Sequence, residues 1–328
     1  MKLFLAPIHG VTLDHYRNQF AEIFEGFDAY YAPFIATAEE KKVGKTIFRD
    51  ILPKSDTTMN VVPQLLGNNG TDFRNYASII ADMGYKEINW NIGCPSGTVI
   101  KKKKGSGILP HPDMIKAFLD EVCKDDSYDL TVKMRLGLDK LEEGIDVIDL
   151  LNQYPLSGVT IHGRTGKQQY EGHVDLDSFE VLYSACKHEM TYNGDIYTVE
   201  DFKRIQARFP LINKFMLGRG ALKNPFLPSI IKGINISDSE KLKKMKDFHD
   251  SLYNYYKSQL SIDKHSISQL AKDKLLLSKM KEFWVFKSTH VDPSGKHFEE
   301  LKKSTTCDVY LDIVDQMLET SGSWQETI

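Results

Sequence analysis

Residues 60–92 read NVVPQLLGNNGTDFRNYASIIADMGYKEINWNI, and this stretch decides the fold because it contains two short strands with one helix between them. The apolar, β-branched runs at about 60–66 and 87–92 are typical of strands. Between them, Thr71 is a helix-start signal, and apolar side chains from Phe73 onward follow at helical spacing. The stretch therefore predicts a strand, a helix and a second strand within about 30 residues.

The same unit repeats along the chain. Short strand-like runs bounded by Gly, Pro or Asn recur, and helix-start signals such as Pro112 and Thr198 lie between them. The predicted strands lie at about residues 3–8, 29–35, 60–66, 87–92, 129–134, 158–162, 190–193 and 214–217. Eight units of about 30 residues match a (β/α)₈ barrel, whereas an open doubly wound sheet usually has five or six strands. We therefore predict an α/β chain whose N-terminal TIM barrel spans residues 1–235.

A second, all-helical domain is predicted over residues 236–328. The segment 233–239 reads as a linker, and long helical patterns follow it. Between Lys241 and Lys287 there are 11 Lys against 5 Asp and Glu. We expect Lys272, Lys274, Lys279 and Lys281 to line one side of a helix whose Leu275, Leu276 and Met280 pack inward. The alternative is an ordinary solvated face of an amphipathic helix.

Composition bounds the class of protein. The 328 residues carry 42 Lys and Arg against 45 Asp and Glu, a net charge of −3, and mean hydropathy is −0.35. These values are typical of a globular protein. The apolar runs are far shorter than the roughly 20 residues that cross a bilayer, and the N-terminus has no secretory core. The four cysteines have no paired spacing. We expect a cytoplasmic monomer with no membrane segment, disulfide framework or metal.

Polar side chains follow the predicted strands where each strand ends. In a TIM barrel these carboxyl ends converge on one mouth, where active sites are built. The alternative is that strands end in polar residues because turns are polar, but turns favour Ser, Asp and Gly rather than Lys, Gln, Cys and His. The residues in question are His9 and Gly10, Gln64, Asn91 and Cys94, Lys133 and Arg135, His162 and Arg164, Asn193 and Asp195, and Gly218, Arg219 and Gly220.

Three motifs at these ends carry possible chemistry. The Gly218-Arg219-Gly220 segment can offer backbone N–H groups to a phosphate, although a plain tight turn is the alternative. Lys133 can place a cation beside a ligand, or it can be a salt-bridge partner. Cys94, in a Gly-Cys-Pro loop, can act as an acid or a nucleophile, whereas a typical lone cysteine is a small buried hydrophobe. The lysine run at 101–104 is a solvated loop or a phosphodiester-binding one.

The motifs, taken together and in order, resemble the tRNA-dihydrouridine synthase family over nearly the whole chain. The resemblance is greatest to its bacterial C-type members, which act on a uridine in the D-loop. The matching segments are residues 6–11, 64–67, 91–96, 131–137, 162–170, 193–196 and 218–221.

This resemblance implies an FMN-dependent enzyme that reduces the C5–C6 double bond of uridine in tRNA, with NADPH or NADH as reductant. It implies that Cys94 donates the proton to C5 and that Asn91 and Tyr170 orient the uracil. The flavin contacts that it implies are Pro7, Ile8 and His9 through main chain, Gln64, Lys133 and His162 at the ring, and Asn193, Gly194, Asp195, Gly218 and Arg219 at the phosphate. A uracil inside folded tRNA must be everted to reach a barrel, so the RNA must be gripped elsewhere, and we expect Lys272 and Lys274 to contribute.

Two other functions fit part of this pattern. A flavin oxidoreductase for a free pyrimidine or another small molecule would share the barrel and the phosphate site, but would not need a basic helical domain. A non-catalytic RNA-binding protein could keep the fold without turnover. Activity on tRNA but not on free uridine would support our prediction over the small-molecule oxidoreductase. A purified protein that cannot bind FMN would support the non-catalytic RNA-binding protein.

Overall fold

The structure is a computed structural model that describes residues 1–38, 44–53, 59–263, 267–321 and 324. In this described part, ten strand segments alternate with helices and are followed by a helical region. The strands are β1 Lys2–Leu5, β2 Ala29–Tyr31, β3 Ile35–Ala36, β4 Val61–Val62, β5 Gln64–Leu66, β6 Glu87–Ile92, β7 Asp129–Arg135, β8 Gly158–His162, β9 Met190–Asn193 and β10 Lys214–Leu217.

The α-helices are α1 Asp14–Ile23, α2 Gly70–Asp82, α3 Gly97–Ile100, α4 Pro112–Val122, α5 Leu141–Leu151, α6 Leu176–Ala185, α7 Val199–Arg208, α8 Arg219–Lys223, α9 Leu227–Ile231, α10 Asp238–Asp263, α11 Gln269–Val291, α12 Lys296–Lys303 and α13 Cys307–Ser321. Two 3₁₀ helices span Lys45–Ile51 and Gly105–Ile108. The helices predicted from Thr71, Pro112 and Thr198 correspond to α2, α4 and α7.

All described strand pairs are parallel, and the ten segments close into a barrel of eight strands, because β2 with β3 and β4 with β5 each count as one strand. The pairing order is β3-β5-β6-β7-β8-β9-β10-β1-β2-β4. Strands β4 and β5 are two halves of one strand, separated only by Pro63, which has no N–H to donate. They pair with β2 and β3 respectively, so the two ends of the pairing order meet. The predicted TIM barrel with a helical C-terminal region is confirmed.

The first strand ends at Leu5, earlier than the predicted 3–8. Pro7 cannot donate a ladder hydrogen bond, and the N–H of Ile8 donates instead to Thr12 Oγ1 at 2.8 Å. The carbonyl of Ile8 accepts from the N–H groups of Val11 and Thr12 at 3.0 Å each. Pro7, Ile8 and His9 therefore belong to a loop at the barrel mouth rather than to the strand itself.

The barrel has an apolar outside and a lumen divided into an apolar and a polar wall. Outward-facing strand residues such as Trp90 pack under the helices, and Trp90 stacks on Phe118 of α4 with ring centroids 3.8 Å apart. One side of the lumen is filled by Phe4, Ala6, Ala29, Tyr31, Val62 and Met216. The other side carries polar residues of β5 to β9, and these form the candidate site.

The described chain divides into two compact units. The first consists of Met1–Asp14, Phe27–Ile196 and Lys203–Gly218, and it contains all the described strands. The second consists of His15–Gly26, Tyr197–Phe202 and Arg219–Ile328. The helices from α8 onward thus fall in the second unit. The predicted domain boundary at residues 235 and 236 stays a prediction.

The second unit buries a lysine among aromatic rings. The amine of Lys287 lies 4.4 Å from the ring centroid of Phe283, 5.7 Å from that of Tyr16 and 6.0 Å from that of Phe248. Lys287 is only 2% exposed, and within the described ranges it forms no ion pair. Burial lowers the pKa of this amine from 10.5 to about 7.

We predict that Lys287→Met stabilises the protein, most strongly at low pH. Between the folded pKa of about 7 and the unfolded value of 10.5, the unfolded chain binds the extra proton. The contribution of Lys287 to the free energy of unfolding therefore rises with pH across that window, and below it the buried charge is a constant penalty. Urea denaturation at pH 6 and pH 9 measures this. The gain from Lys287→Met should be larger at pH 6, and an exposed control, Lys279→Met, should show no such difference. A destabilised variant, or an equal gain at both pH values, contradicts the prediction.

Candidate active site

A chain of hydrogen bonds crosses the polar wall of the barrel from its interior to its mouth. It begins at Glu87, whose Oε1 accepts from both Tyr31 and Thr131 at 2.9 Å. The chain then continues from Asn89 to Thr131 at 2.9 Å, from Gln64 to Asn89 at 2.7 Å, and from Asn91 to Gln64 at 2.8 Å. Because each amide has a partner on the neighbouring strand, the rotamers at the mouth are fixed.

Cys94 stands at the mouth end of this chain, and its backbone is held from two sides. Asn91 Oδ1 accepts from the N–H of Gly93 at 3.0 Å and from that of Cys94 at 2.9 Å. The carbonyl of Cys94 accepts from the N–H and the hydroxyl of Ser106, both at 3.0 Å. Asn91 therefore positions Cys94 directly. Its predicted contact with the uracil stays a prediction.

The thiol of Cys94 is partly buried and stays protonated near neutral pH. Burial raises its pKa above the ordinary value, and this outweighs the lowering by the backbone of Ser96 and by the cations Arg135 and Lys133. A protonated thiol is a proton donor, whereas a nucleophilic cysteine needs a lowered pKa. Of the two chemistries that the sequence allowed for Cys94, the environment favours the acid.

Lys133 extends from β7 and is half-buried beside the same mouth. Its Nζ donates to Asn193 Oδ1 at 2.9 Å, and the amide of Asn193 donates in turn to the carbonyl of Met216 at 2.8 Å. Throughout the part of the chain that is described, no carboxylate pairs with Lys133. Burial, followed by the repulsion of Arg135, lowers its pKa to about 7. A cationic donor with a neutral partner can still neutralise a ligand.

Arg135 connects the Cys94 loop to the loop that carries Tyr170. Its guanidinium donates to the carbonyl of Gly93 at 2.9 Å and to those of Thr165 and Gln169 at 2.8 and 2.7 Å. The same guanidinium lies 5.4 Å from the ring centroid of Tyr170, which is 54% exposed. The ring centroids of His162 and Tyr170 are 6.3 Å apart. Arg135 therefore contacts both the backbone next to Cys94 and an exposed aromatic ring.

Arg164 holds the other half of that loop. Its guanidinium forms a bidentate pair with Asp195 at 2.8 and 2.5 Å and donates to the carbonyls of Glu171 and Gly172 at 3.1 and 2.6 Å. Gly194, at φ +139°, could not carry a side chain, because a Cβ would come within 2.6 Å of Val174. Since the carboxylate of Asp195 faces Arg164, a phosphate could meet only the backbone of this turn.

The remaining predicted residues fall in both units. In the first, His9 stacks on Phe34 with ring centroids 5.1 Å apart, and Gly218 follows β10 beside Ala6 and Ile8. The structure brings together Gln64, Asn91, Cys94, Lys133, His162, Tyr170 and Asn193 through the contacts described above. In the second unit, Arg219 begins α8, with its guanidinium 5.6 Å from the Tyr197 ring, and Lys272 and Lys274 lie on α11.

The predicted packing of α11 is wrong in two respects. Leu275 is 40% exposed, while Leu276, Leu277 and Met280 are buried. Lys272 and Lys274 are about 200° apart around a helix, so the four lysines cannot share one side. Lys281 donates to the carbonyls of Lys302 and Ser304 at 2.9 and 2.6 Å. The amine of Lys281 thus binds the C-terminal end of α12.

The described residues contain no group of three or more His, Cys, Asp or Glu able to hold a metal ion. None of their helices is both long enough and apolar enough to cross a bilayer.

Comparison with known protein families identifies the family of the chain. The family model described as dihydrouridine synthase matches residues 4–308. The chain belongs to the dihydrouridine synthase family. The predicted family, and the prediction that the chain is an enzyme of this family, are confirmed.

Relatives within the family are moderately similar. The tRNA-dihydrouridine synthase B of Pasteurella multocida is 27% identical over 245 residues, which cover 73% of this chain and 71% of that protein. A probable tRNA-dihydrouridine synthase of Rhizobium leguminosarum is 31% identical over 235 residues, covering 71% and 72%. The tRNA-dihydrouridine(16) synthase of Haemophilus ducreyi is 28% identical over 244 residues, covering 70% and 73%. Because the B synthase and the (16) synthase are about equally similar, the predicted C-type subgroup stays a prediction.

Solved structures show the same barrel in more distant proteins. Histamine dehydrogenase from Rhizobium sp. 4-9 superposes with a TM-score of 0.53 at 11% identity, covering 71% of this chain and 46% of that one. A morphinone reductase variant in complex with tetrahydroNAD has a TM-score of 0.51 at 9% identity, covering 73% and 89%. At these identities the likeness concerns the fold.

The sequence placed Arg135 and Arg164 at strand ends but did not predict that they hold the loops of the site. Both are almost fully buried, and both donate to backbone carbonyls of the loop that carries Tyr170. Ser106 was missed, and it lies twelve residues beyond the Cys94 carbonyl to which it donates. The only signal for the two arginines in the sequence was their position, one and three residues after the last apolar residue of a strand, which by itself also fits an exposed strand end.

Proposed function

We propose that this protein reduces the C5–C6 double bond of a uridine in the D-loop of tRNA to 5,6-dihydrouridine, with bound FMN and with NADPH or NADH as reductant. One observation carries the proposal: Asn91 and Ser106 fix the backbone of Cys94 at a barrel mouth, where Arg135 joins the Cys94 loop to the exposed ring of Tyr170. Membership of the dihydrouridine synthase family and the printed names of its tRNA-modifying relatives support the substrate.

The polar wall fits a flavin. Lys133 has a neutral amide as its described partner, so an electron-rich ring edge placed beside it would favour the protonated form of the amine and accept a hydrogen bond from it. Gln64 and His162 lie on the same wall, and the Asn193-Gly194-Asp195 turn, with Gly218, would hold the phosphate through backbone N–H groups. The contact of Arg219 with the phosphate stays a prediction. Pro7, Ile8 and His9 would line the ring from the first loop. When bound, FMN supplies the hydride that is added to C6 of the uracil.

Cys94 supplies the proton that completes the reduction. Hydride addition at C6 leaves negative charge on C5 and the adjoining carbonyl, and a thiol within reach of C5 can neutralise it by proton transfer. The raised pKa keeps that proton on sulfur until the substrate is in place. Asn91 and Ser106 hold the thiol by fixing its backbone, and the ring of Tyr170 gives the everted base a face to stack on.

We also propose that residues 236–328 form an RNA-binding domain in which Lys272 and Lys274 contact phosphates. Neither lysine forms an ion pair within the described residues, and Lys274 is exposed. Charge reversal of both should weaken tRNA binding about tenfold or more and reduce its salt dependence. Fluorescence binding titrations at several salt concentrations measure both quantities. NADPH oxidation by the flavin should be unchanged, and Lys296→Glu on α12 is the matched control. An unchanged salt slope in the double variant would place the RNA elsewhere.

The substrate is tested by comparing tRNA with free uridine. The purified, FMN-loaded protein is incubated with NADPH and either an unmodified tRNA transcript or uridine, and dihydrouridine is measured by mass spectrometry. We expect product from tRNA alone, at one position in the D-loop. Product from free uridine at a similar rate would instead indicate a small-molecule oxidoreductase. A purified protein unable to bind FMN would indicate a non-catalytic RNA-binding protein.

A further inference from the structure

Three consecutive lysines form an exposed turn directly after α3. Lys101, Lys102 and Lys103, which we name the lysine turn, are all exposed to solvent. The N–H of Lys104 donates to the carbonyl of Val99 at 3.2 Å, and the N–H of Lys103 donates to that of Ile100 at 2.9 Å. This nested pair of bonds is the Schellman motif that ends many helices, and Lys103 stands at its left-handed position.

Lys103 occupies a backbone conformation in which glycine would be more favourable. Its φ is +50°, where a residue with a Cβ is strained and where helix C-termini usually place glycine. A helix end requires only the turn, not the charge. Lys103 keeps an exposed amine at a position where its backbone is strained, and such strain is typical of functional sites.

The lysine turn is fixed in position against Cys94. Asn68 donates to the carbonyls of Lys102 and Lys103 at 3.1 and 3.2 Å. Two residues farther along, Gly105 packs so closely that a Cβ there would lie 2.6 Å from the carbonyl oxygen of Cys94. Two residues of chain span at most about 7 Å, so the backbone of the lysine turn lies near the reacting thiol.

The amines of the lysine turn take part in no described ion pair. No ion pair of Lys101, Lys102 or Lys103 occurs among the described residues, whereas exposed Lys116 and Lys124 pair with Asp120 and Glu121. The next residue, Lys104, is different, because its amine donates to the carbonyl of Thr37 at 2.8 Å and thereby anchors the turn. Three solvated cations are thus held by a rigid backbone beside the site.

We propose that the lysine turn binds the RNA phosphates that flank the reacting uridine. This inference rests on the proposed function. A base that reaches Cys94 brings its own sugar-phosphate backbone to the rim of the mouth, and everting it spreads the adjacent phosphates. Amines near those phosphates neutralise them and release counterions, without reading sequence.

The first test is Lys103→Gly, because a structural role of the lysine predicts a loss of stability, whereas a phosphate-binding role predicts weaker tRNA binding without a loss of stability. Glycine relieves the left-handed strain, so the melting temperature should stay the same or rise. Removal of one phosphate contact should nevertheless weaken tRNA binding and lower the magnitude of the log–log salt slope by about 1. Lys203→Gln on the outer helix α7 removes an exposed lysine and should change neither property. Wild-type affinity and salt slope in Lys103→Gly would overturn the proposal.

The second test locates the contact. Transcripts carry neutral methylphosphonates at the two phosphates flanking the target uridine, and their binding is compared for wild-type protein and the triple variant Lys101→Gln, Lys102→Gln, Lys103→Gln. Neutralisation should weaken the wild type but have little further effect on the triple variant, because both changes remove the same contacts. Additive effects would overturn the proposal. If the wild-type protein does not form dihydrouridine in tRNA, the proposed function itself has failed, whereas normal wild-type activity with additive effects removes the inference alone.

Discussion

Cys94→Ala is expected to lower the rate of dihydrouridine formation in tRNA by about 10²–10⁴-fold, the usual contribution of a positioned general acid. The protein should keep its flavin and its affinity for tRNA. Alanine preserves the backbone hydrogen bonds with Asn91 and Ser106, so the loop keeps its shape and only the proton donor is removed. Single-turnover formation of dihydrouridine, measured by mass spectrometry with saturating tRNA, gives the rate directly.

The matched control for this prediction is Cys123→Ala. Cys123 is partly buried like Cys94, and burial raises its pKa to about 11, but it lies at the end of α4, away from the barrel mouth. Its replacement should leave the rate within about twofold, as expected for a site without catalytic contacts. If Cys94→Ala turned over at the wild-type rate, another group would have to protonate C5, and the proposed mechanism would be wrong.

Arg164→Leu is expected to lower the free energy of unfolding by about 3–5 kcal/mol, as when one partner of a buried ion pair is removed. The side chain of Arg164 is 2% exposed and that of Asp195 is 14% exposed. The substitution leaves the carboxylate without its counter-charge and releases the carbonyls of Glu171 and Gly172. The loop that carries Tyr170 should therefore also loosen. Urea denaturation measures the stability loss, and hydrogen exchange of residues 165–172 measures the loosening.

The control for Arg164→Leu is an exposed ion pair in the same region. Lys167 pairs with Asp139 at 2.6 Å, with both side chains largely exposed, so Lys167→Ala should cost less than about 1 kcal/mol. Replacing Asp195 as well, in Arg164→Leu with Asp195→Asn, should restore part of the lost stability because no unpaired charge remains. Equal costs for Arg164→Leu and Lys167→Ala would contradict the role assigned to the buried pair.

The barrel could be predicted from the sequence because its signal is local and repeated. Strands β6, β8, β9 and β10 lie where alternating apolar runs and turn residues placed them. The break at Pro63 and the early end of β1 depend on which N–H groups have partners across the sheet. Such pairing becomes known only when the neighbouring strands are in place.

The site was only partly predictable for the same physical reason. Gln64, Cys94 and Lys133 stand at strand ends, and parallel strands bring their ends together whatever their spacing in sequence. The pairing of Arg164 with Asp195 joins residues 31 positions apart in two loops, and no periodicity encodes it. The exposure of Leu275 was misjudged because α11 packs through Leu276, Leu277 and Met280, and a hydrophobic pattern with adjacent leucines does not say which of them faces inward.

The central claim is that a flavin bound in this barrel gives its reducing equivalents to a uridine in tRNA. The most direct measurement mixes the FMN-loaded protein, reduced anaerobically with NADPH and freed of excess reductant, with an unmodified tRNA transcript. We predict that flavin absorbance returns to the oxidised spectrum as one dihydrouridine forms per flavin. Flavin that stays reduced in the presence of tRNA, or that reoxidises without dihydrouridine, would contradict the account.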